Sequence, residues 1–159
     1  MVDNDEWVGL PAPDFTLPDI EDGLFHLKQE LALGPKILLF YPSDFGIICS
    51  LEMRTFQGMR GEFASKGIEV VGISRNSIMT HKQWSESMHF QIRLLSDEDG
   101  EVCMRYAGLQ DSGLLIGHPR RSVFILDRDG IVRYAWISRA EGLSPPFEEV
   151  REKARSLDL

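Results

Sequence analysis

Cysteine is almost absent from this chain of 159 residues. Only Cys49 and Cys103 occur, far apart and outside any C-x-x-C pair. The acidic start MVDNDEWVG lacks the basic-then-apolar order of a secretion leader. Such cysteine usage points to a reducing, cytoplasmic setting and excludes a disulfide scaffold. Long hydrophobic runs are missing as well; none approaches the roughly 20 apolar residues of a membrane span. Positive charge is in deficit: 17 Lys and Arg against 25 Asp and Glu give a formal net charge of −8. That balance argues against nucleic acid and anionic membranes as partners and favours plain solubility. His26, His81, His89 and His118 show no metal-ligand spacing with one another or with cysteine, so they read as surface or packing residues. The glycine-rich stretch 108–117 lacks the Lys-Ser/Thr and strand context of a phosphate cradle. No metal, haem, flavin or other cofactor is expected. Repeats, linkers and low-complexity segments are also lacking, which predicts one domain over residues 1–159.

What is present is globular: 43% hydrophobic and 26% charged residues, in a chain long enough to bury a core. The most informative stretch is GPKILLFYPSDFGIICSLEMRTFQGM, from Gly34. Ile37-Leu38-Leu39-Phe40-Tyr41 is a continuous apolar run and predicts a strand buried on both faces. Pro42 stops it, because proline cannot donate to a central ladder. A short loop, 43–48, precedes a long helix whose apolar side is marked by Leu51, Met53, Phe56, Met59 and Phe63. Cys49 therefore falls in the first helical turn. Free backbone N–H groups and the positive end of the helix dipole lie there, and both favour thiolate over thiol.

The flanking elements follow from the same signals. Residues 1–7 read as a loose lead-in. Phe15-Thr16-Leu17 and Leu24-Phe25-His26-Leu27 flank a turn ending in Asp22-Gly23, a hairpin signal. A helical turn over 28–33 ends at Gly34-Pro35. Strands are expected over 68–73 and 92–95, helices over 76–90 and 101–106, and a second hairpin over 122–136 around Asp127-Arg128-Asp129-Gly130. A final amphipathic helix covers 147–157. Strands separated by helices need crossovers, so part of the sheet is parallel; the closing hairpin makes another part antiparallel. The expectation is a mixed α/β sheet flanked by helices. That architecture is thioredoxin-like, with an N-terminal β-hairpin extension.

The stretch FYPSDFGIICSLE resembles the active-site loop of peroxiredoxins, P-x-x-x-[ST]-x-x-C, with Pro42 and Cys49 on the pattern. RRSVFILDRDGIVRYAWI resembles the peroxiredoxin strand that opens with the active-site arginine; Arg121 matches it, with Arg120 as the alternative. VGLPAPDFTLPD, VVGIS and LLSDEDGEV are similar to further pieces of the same family, from about Val8 to the last helix. The chain is most similar to the bacterioferritin-comigratory-protein (PrxQ) and one-cysteine AhpE-like subgroup. The resemblance implies a thiol-dependent peroxidase that reduces hydrogen peroxide and organic hydroperoxides through a sulfenic acid at Cys49. It implies that Arg121 steadies the reacting oxygens, that Glu52 orients the arginine, and that Pro42 shields the sulfur. It further implies an external thiol or thioredoxin-like reductant and a homodimer formed through the loops around the site.

Two positions depart from the family. Gly46 stands where the pattern carries a hydroxyl, so activity is expected to be weakened unless Ser43, Ser50, a water or a main-chain group substitutes. A redox-sensing or binding module on the same scaffold is the alternative reading. Arg54 stands where many of the subgroup carry a resolving cysteine, five positions after Cys49. Cys103 reads as a small buried side chain beside Val102 and Tyr106, so recycling by a single cysteine is expected.

Overall fold

The computed structural model describes residues 4–140 and 142–159. The lead-in expected over residues 1–7 lies partly outside them, but its described end is not loose. Asn4–Trp7 forms a helical turn, α1. Trp7 is buried, stacked on Tyr106 and edge-on to Phe124. The Asn4 side chain accepts a hydrogen bond from the backbone N–H of Ile137. A polar opening hid this anchor, whose partners Tyr106, Phe124 and Ile137 lie about a hundred or more positions along the chain.

Strands β1 (Thr16–Pro18) and β2 (Leu24–His26) pair antiparallel as the extension hairpin. Helix α2 (Leu27–Leu33) leads into β3 (Lys36–Phe40), every residue of which is buried. The 18-residue helix α3 (Ile47–Ala64) returns the chain to β4 (Glu69–Ser74), and α4 (Ile78–Met88) connects to β5 (Arg93–Ser96). Helix α5 (Glu101–Tyr106) precedes the antiparallel pair β6 (Ser122–Leu126) and β7 (Val132–Ile137), and α6 (Phe147–Ser156) closes the fold. The sheet order is β5-β4-β3-β6-β7, with β3 central, parallel to β4 and antiparallel to β6.

The alternation of β3 sorts the core into two layers. Ile37, Leu39 and Tyr41 pack with α3, α4 and α6 through Met53, Phe56, Trp84 and Val150. Leu38 and Phe40 pack on the opposite face with α1, α2, α5 and the hairpin, through Trp7, Leu27, Tyr106 and Phe25. Phe40 pairs with Ile73 on one side and Ser122 on the other, and Ser122 pairs with Ile137. The chain after β3, after β4 and before β6 therefore gathers at one end of the sheet. Open α/β sheets generally place their sites at such an end.

Candidate active site

The site starts from the stop in β3. After Phe40 the chain passes through Tyr41 and Pro42 and turns at Asp44-Phe45. Phe45 holds a left-handed φ of 66°. For a bulky side chain that conformation costs on the order of 1–3 kcal/mol and persists only where neighbours enforce it. Gly46 then caps α3 without a side-chain hydrogen bond. Cys49 lies in the first turn, where backbone N–H groups have no partner within the helix.

Cys49 is 3% exposed and Arg121 5%. Arg121 precedes β6, which neighbours β3, so its guanidinium reaches across to the helix start. Its Nη1 donates to Cys49 Sγ at 3.1 Å and to Glu52 Oε1 at 3.3 Å. Glu52 lies three residues beyond Cys49 on α3, on the same face. Pro42 is buried, and its carbonyl is bonded to His118 Nδ1 at 3.0 Å. The four residues singled out in the sequence thus lie on the segments that converge here, and Arg121, not Arg120, faces the sulfur.

Burial works against one expectation. A thiolate poised by the helix start was expected, yet burial pushes the Cys49 thiol above its ordinary value. Arg121 and a backbone hydrogen bond from Ser43 oppose that rise, while the Glu52 carboxylate adds to it. Burial also moves the Glu52 carboxyl from an ordinary 4.5 to about 7, against the pull of Arg121 and of hydrogen bonds from Ser144 and Arg121. Position at a helix terminus could be read from the sequence; the depth of enclosure could not.

The proposed stand-ins for the missing hydroxyl resolve differently from one another. The Ser50 hydroxyl is occupied as acceptor of the Trp84 indole N–H at 3.1 Å. The Ser43 hydroxyl donates to Asp44 O. The Ser43 main chain, not its hydroxyl, opposes the rise that burial gives the Cys49 thiol. Sequence reasoning also missed Asp44 and His81. Asp44 accepts from Tyr41 OH at 2.7 Å and shares a 2.6 Å hydrogen bond with His81 Nδ1, and its backbone N–H donates to Asn76 Oδ1. The one visible signal was an acid inside a short, mostly apolar loop. Cys103 lies in the other core layer, fully buried beside Val102 and Tyr106, with its thiol pushed far up by burial.

A lone enclosed thiol beneath a guanidinium, at the end of a thioredoxin-like sheet, defines a thiol-based redox protein. Residues 8–135 match the AhpC/TSA family. Two relatives bear provisional peroxiredoxin names. The Synechocystis sp. protein is 35% identical over 141 residues, covering 82% of this chain and 68% of the relative. The Coxiella burnetii protein bcp is 32% identical over 133 residues, covering 81% and 87%. The crystal structure of peroxidoxin BcpB from Mycobacterium tuberculosis matches with a TM-score of 0.83 at 27% identity, over 96% of this chain and 98% of its own. The chain belongs to the AhpC/TSA family and is a peroxiredoxin of the bacterioferritin-comigratory (PrxQ) type, a thiol-dependent peroxidase.

Proposed function

We propose that Cys49 is the peroxidatic residue, that it reduces hydrogen peroxide and organic hydroperoxides, and that an external thiol or thioredoxin-like protein recycles it. The 3.1 Å contact between Arg121 and the sulfur carries this reading. The Cys49 sulfur attacks the distal oxygen of R–O–O–H. An S–O bond forms as the O–O bond breaks, and the electron pair leaves on the proximal oxygen, which takes up the proton that the Cys49 thiol gives up and departs as water or alcohol. The product on the protein is a sulfenic acid. Charge passes from sulfur to oxygen during this step, so fixed donors around those atoms are the main catalytic requirement. The Arg121 guanidinium and the helix-start N–H groups meet it. Glu52 holds the guanidinium in place, and Pro42 keeps water from the sulfur.

Recycling by one cysteine is supported by the division of the core. Cys49 packs with Ile37, Leu39 and Tyr41, whereas Cys103 packs with Leu38 and Phe40 on the other face of β3. A disulfide needs Cα atoms within about 7 Å, and the intervening sheet opposes that approach. A thiol therefore attacks Cys49–SOH, releasing water and leaving a mixed disulfide that a second thiol resolves.

A second reading, a redox sensor with little turnover, draws on Gly46 and on the upward-shifted thiol. Peroxide consumption with dithiothreitol as reductant separates the two. Turnover that is abolished by Cys49→Ser and retained by Cys103→Ser supports the peroxidase. A single slow oxidation of Cys49 without turnover supports the sensor. We also propose a homodimer through the apolar rim around the site.

A further inference from the structure

Cys49 is held on a segment whose two ends are tied to the same neighbouring helix. Before the sulfur, the Asp44 carboxylate shares a hydrogen bond with His81 of α4, and both side chains are fully buried. After the sulfur, the Ser50 hydroxyl accepts from Trp84 of α4. His81 and Trp84 lie three residues apart and so share one face of that helix. His81 is itself fixed, because Nε2 bonds Leu95 O at 2.8 Å at the end of β5. Both ring nitrogens thus face oxygens, and one hydrogen lies in the Nδ1–Oδ2 bond whichever atom carries it. Tyr41 OH occupies the other Asp44 oxygen. Burial and Asp44 push the tyrosine hydroxyl well up, so it stays a donor. Between the two ties lies Phe45, in its left-handed conformation.

We propose that His81 and Trp84 are positioning residues for the peroxidase reaction. Acting through Asp44 and Ser50, they hold the Cys49 sulfur under Arg121 against the strain at Phe45. They thereby set the balance between the two half-reactions. The proposal rests on Cys49 being the peroxidatic residue. A small peroxide needs the sulfur aligned in its closed pocket. A larger thiol needs the sulfenic acid brought out of that pocket, since the sulfur is almost completely enclosed. Ties that favour the first step therefore oppose the second.

The test compares the full-length wild type with Trp84→Phe and Asp44→Asn. The first keeps a ring against Tyr41 and Phe90 and removes the indole N–H. The second keeps an acceptor for Tyr41. Quenched-flow with intact-mass detection measures Cys49–SOH formation with hydrogen peroxide, and separately its reduction by glutathione. About tenfold slower oxidation together with faster glutathione reduction in both variants is the expected result. Unchanged oxidation, or equal slowing of both half-reactions as general destabilisation would cause, overturns the proposal. A wild type that forms no sulfenic acid at Cys49 defeats the peroxidase reading itself, before any variant is compared.

Discussion

At the residue scale, the site turns on Gly46 and Glu52. A Cβ at Gly46 would stand 3.5 Å from Ser43 O and 3.7 Å from Cys49 Sγ, which is ordinary contact, and the backbone there, φ −63° and ψ 142°, suits any residue. Gly46→Thr should therefore be accommodated and set a hydroxyl beside the sulfur. Cys49 oxidation is expected to speed up at least tenfold, by analogy with the donors of oxyanion holes. The new N-cap should add only about a few tenths of a kcal/mol, because glycine is itself a tolerated N-cap. Stopped-flow oxidation and urea denaturation measure the two effects, and an unchanged oxidation rate would show the hydroxyl to be dispensable here. Glu52 carries a pH signature. Its folded-state pKa is raised from 4.5 to about 7, so between those values the native state holds a proton that the unfolded chain has released. Stability should fall as pH rises through that window and level off above it, by at most about 3 kcal/mol. Urea curves from pH 4 to 8 should show this fall in the wild type and a flatter profile in Glu52→Gln; parallel profiles would contradict it. Pro42 and Cys49 were legible because they fall on the loop pattern of the family, and Arg121 and Glu52 were legible only through the resemblance that assigns them. Asp44 and His81 were not, because their bond joins residues 37 positions apart and neither belongs to a motif.

At the scale of elements, the strands were legible because β3, β4 and β6 are apolar runs buried on both faces, and Gly and Pro punctuate the turns between them. The face of α3 was read less well. Leu51 was expected inward, yet it is 61% exposed, while Glu52 turns in to meet Arg121. Periodicity assigns hydrophobes to the core, and a catalytic helix departs from that rule where a charge has buried work. Gly72 shows how closely α3 is seated. An added Cβ would meet Leu94 Cδ2 at 2.8 Å, Met53 Cε at 3.0 Å and Tyr41 Cε1 at 3.2 Å. Met53 adjoins Glu52 on α3, and Tyr41 bonds Asp44. Gly72→Ala should thus cost about 1–3 kcal/mol by overpacking, and it should slow Cys49 oxidation by shifting both neighbours. Urea midpoints and stopped-flow traces within error of the wild type would mean that the layer yields freely.

For the whole molecule, the distribution of surface bears on assembly. A net charge of −8 keeps copies apart in general, so an association has to be local and apolar. Phe45, Ile47 and Leu51 are 53%, 81% and 61% exposed on the loop and first turns of α3, directly around the enclosed sulfur. Met79 at the start of α4 and Leu114 and Ile116 before β6 are exposed as well. All belong to segments that leave or approach the sheet at its Phe40–Ser122 end. The resemblance implied a homodimer through the loops around the site, but the exposure of these side chains was not legible in the sequence, where they read as helix face or irregular loop. Each large side chain transferred from water contributes about 1.5–3 kcal/mol when fully buried. A standard interface of roughly 1,600 Å² needs only a few such anchors at its centre. The proposed homodimer should therefore sediment at twice the 18.1 kDa of one chain. Ile47→Glu with Leu51→Glu should return it to the monomer, because two carboxylates would face their own copies across a two-fold axis. Sedimentation velocity across a hundredfold range of concentration decides the matter. A wild type that runs as an 18.1 kDa species throughout would overturn the homodimer.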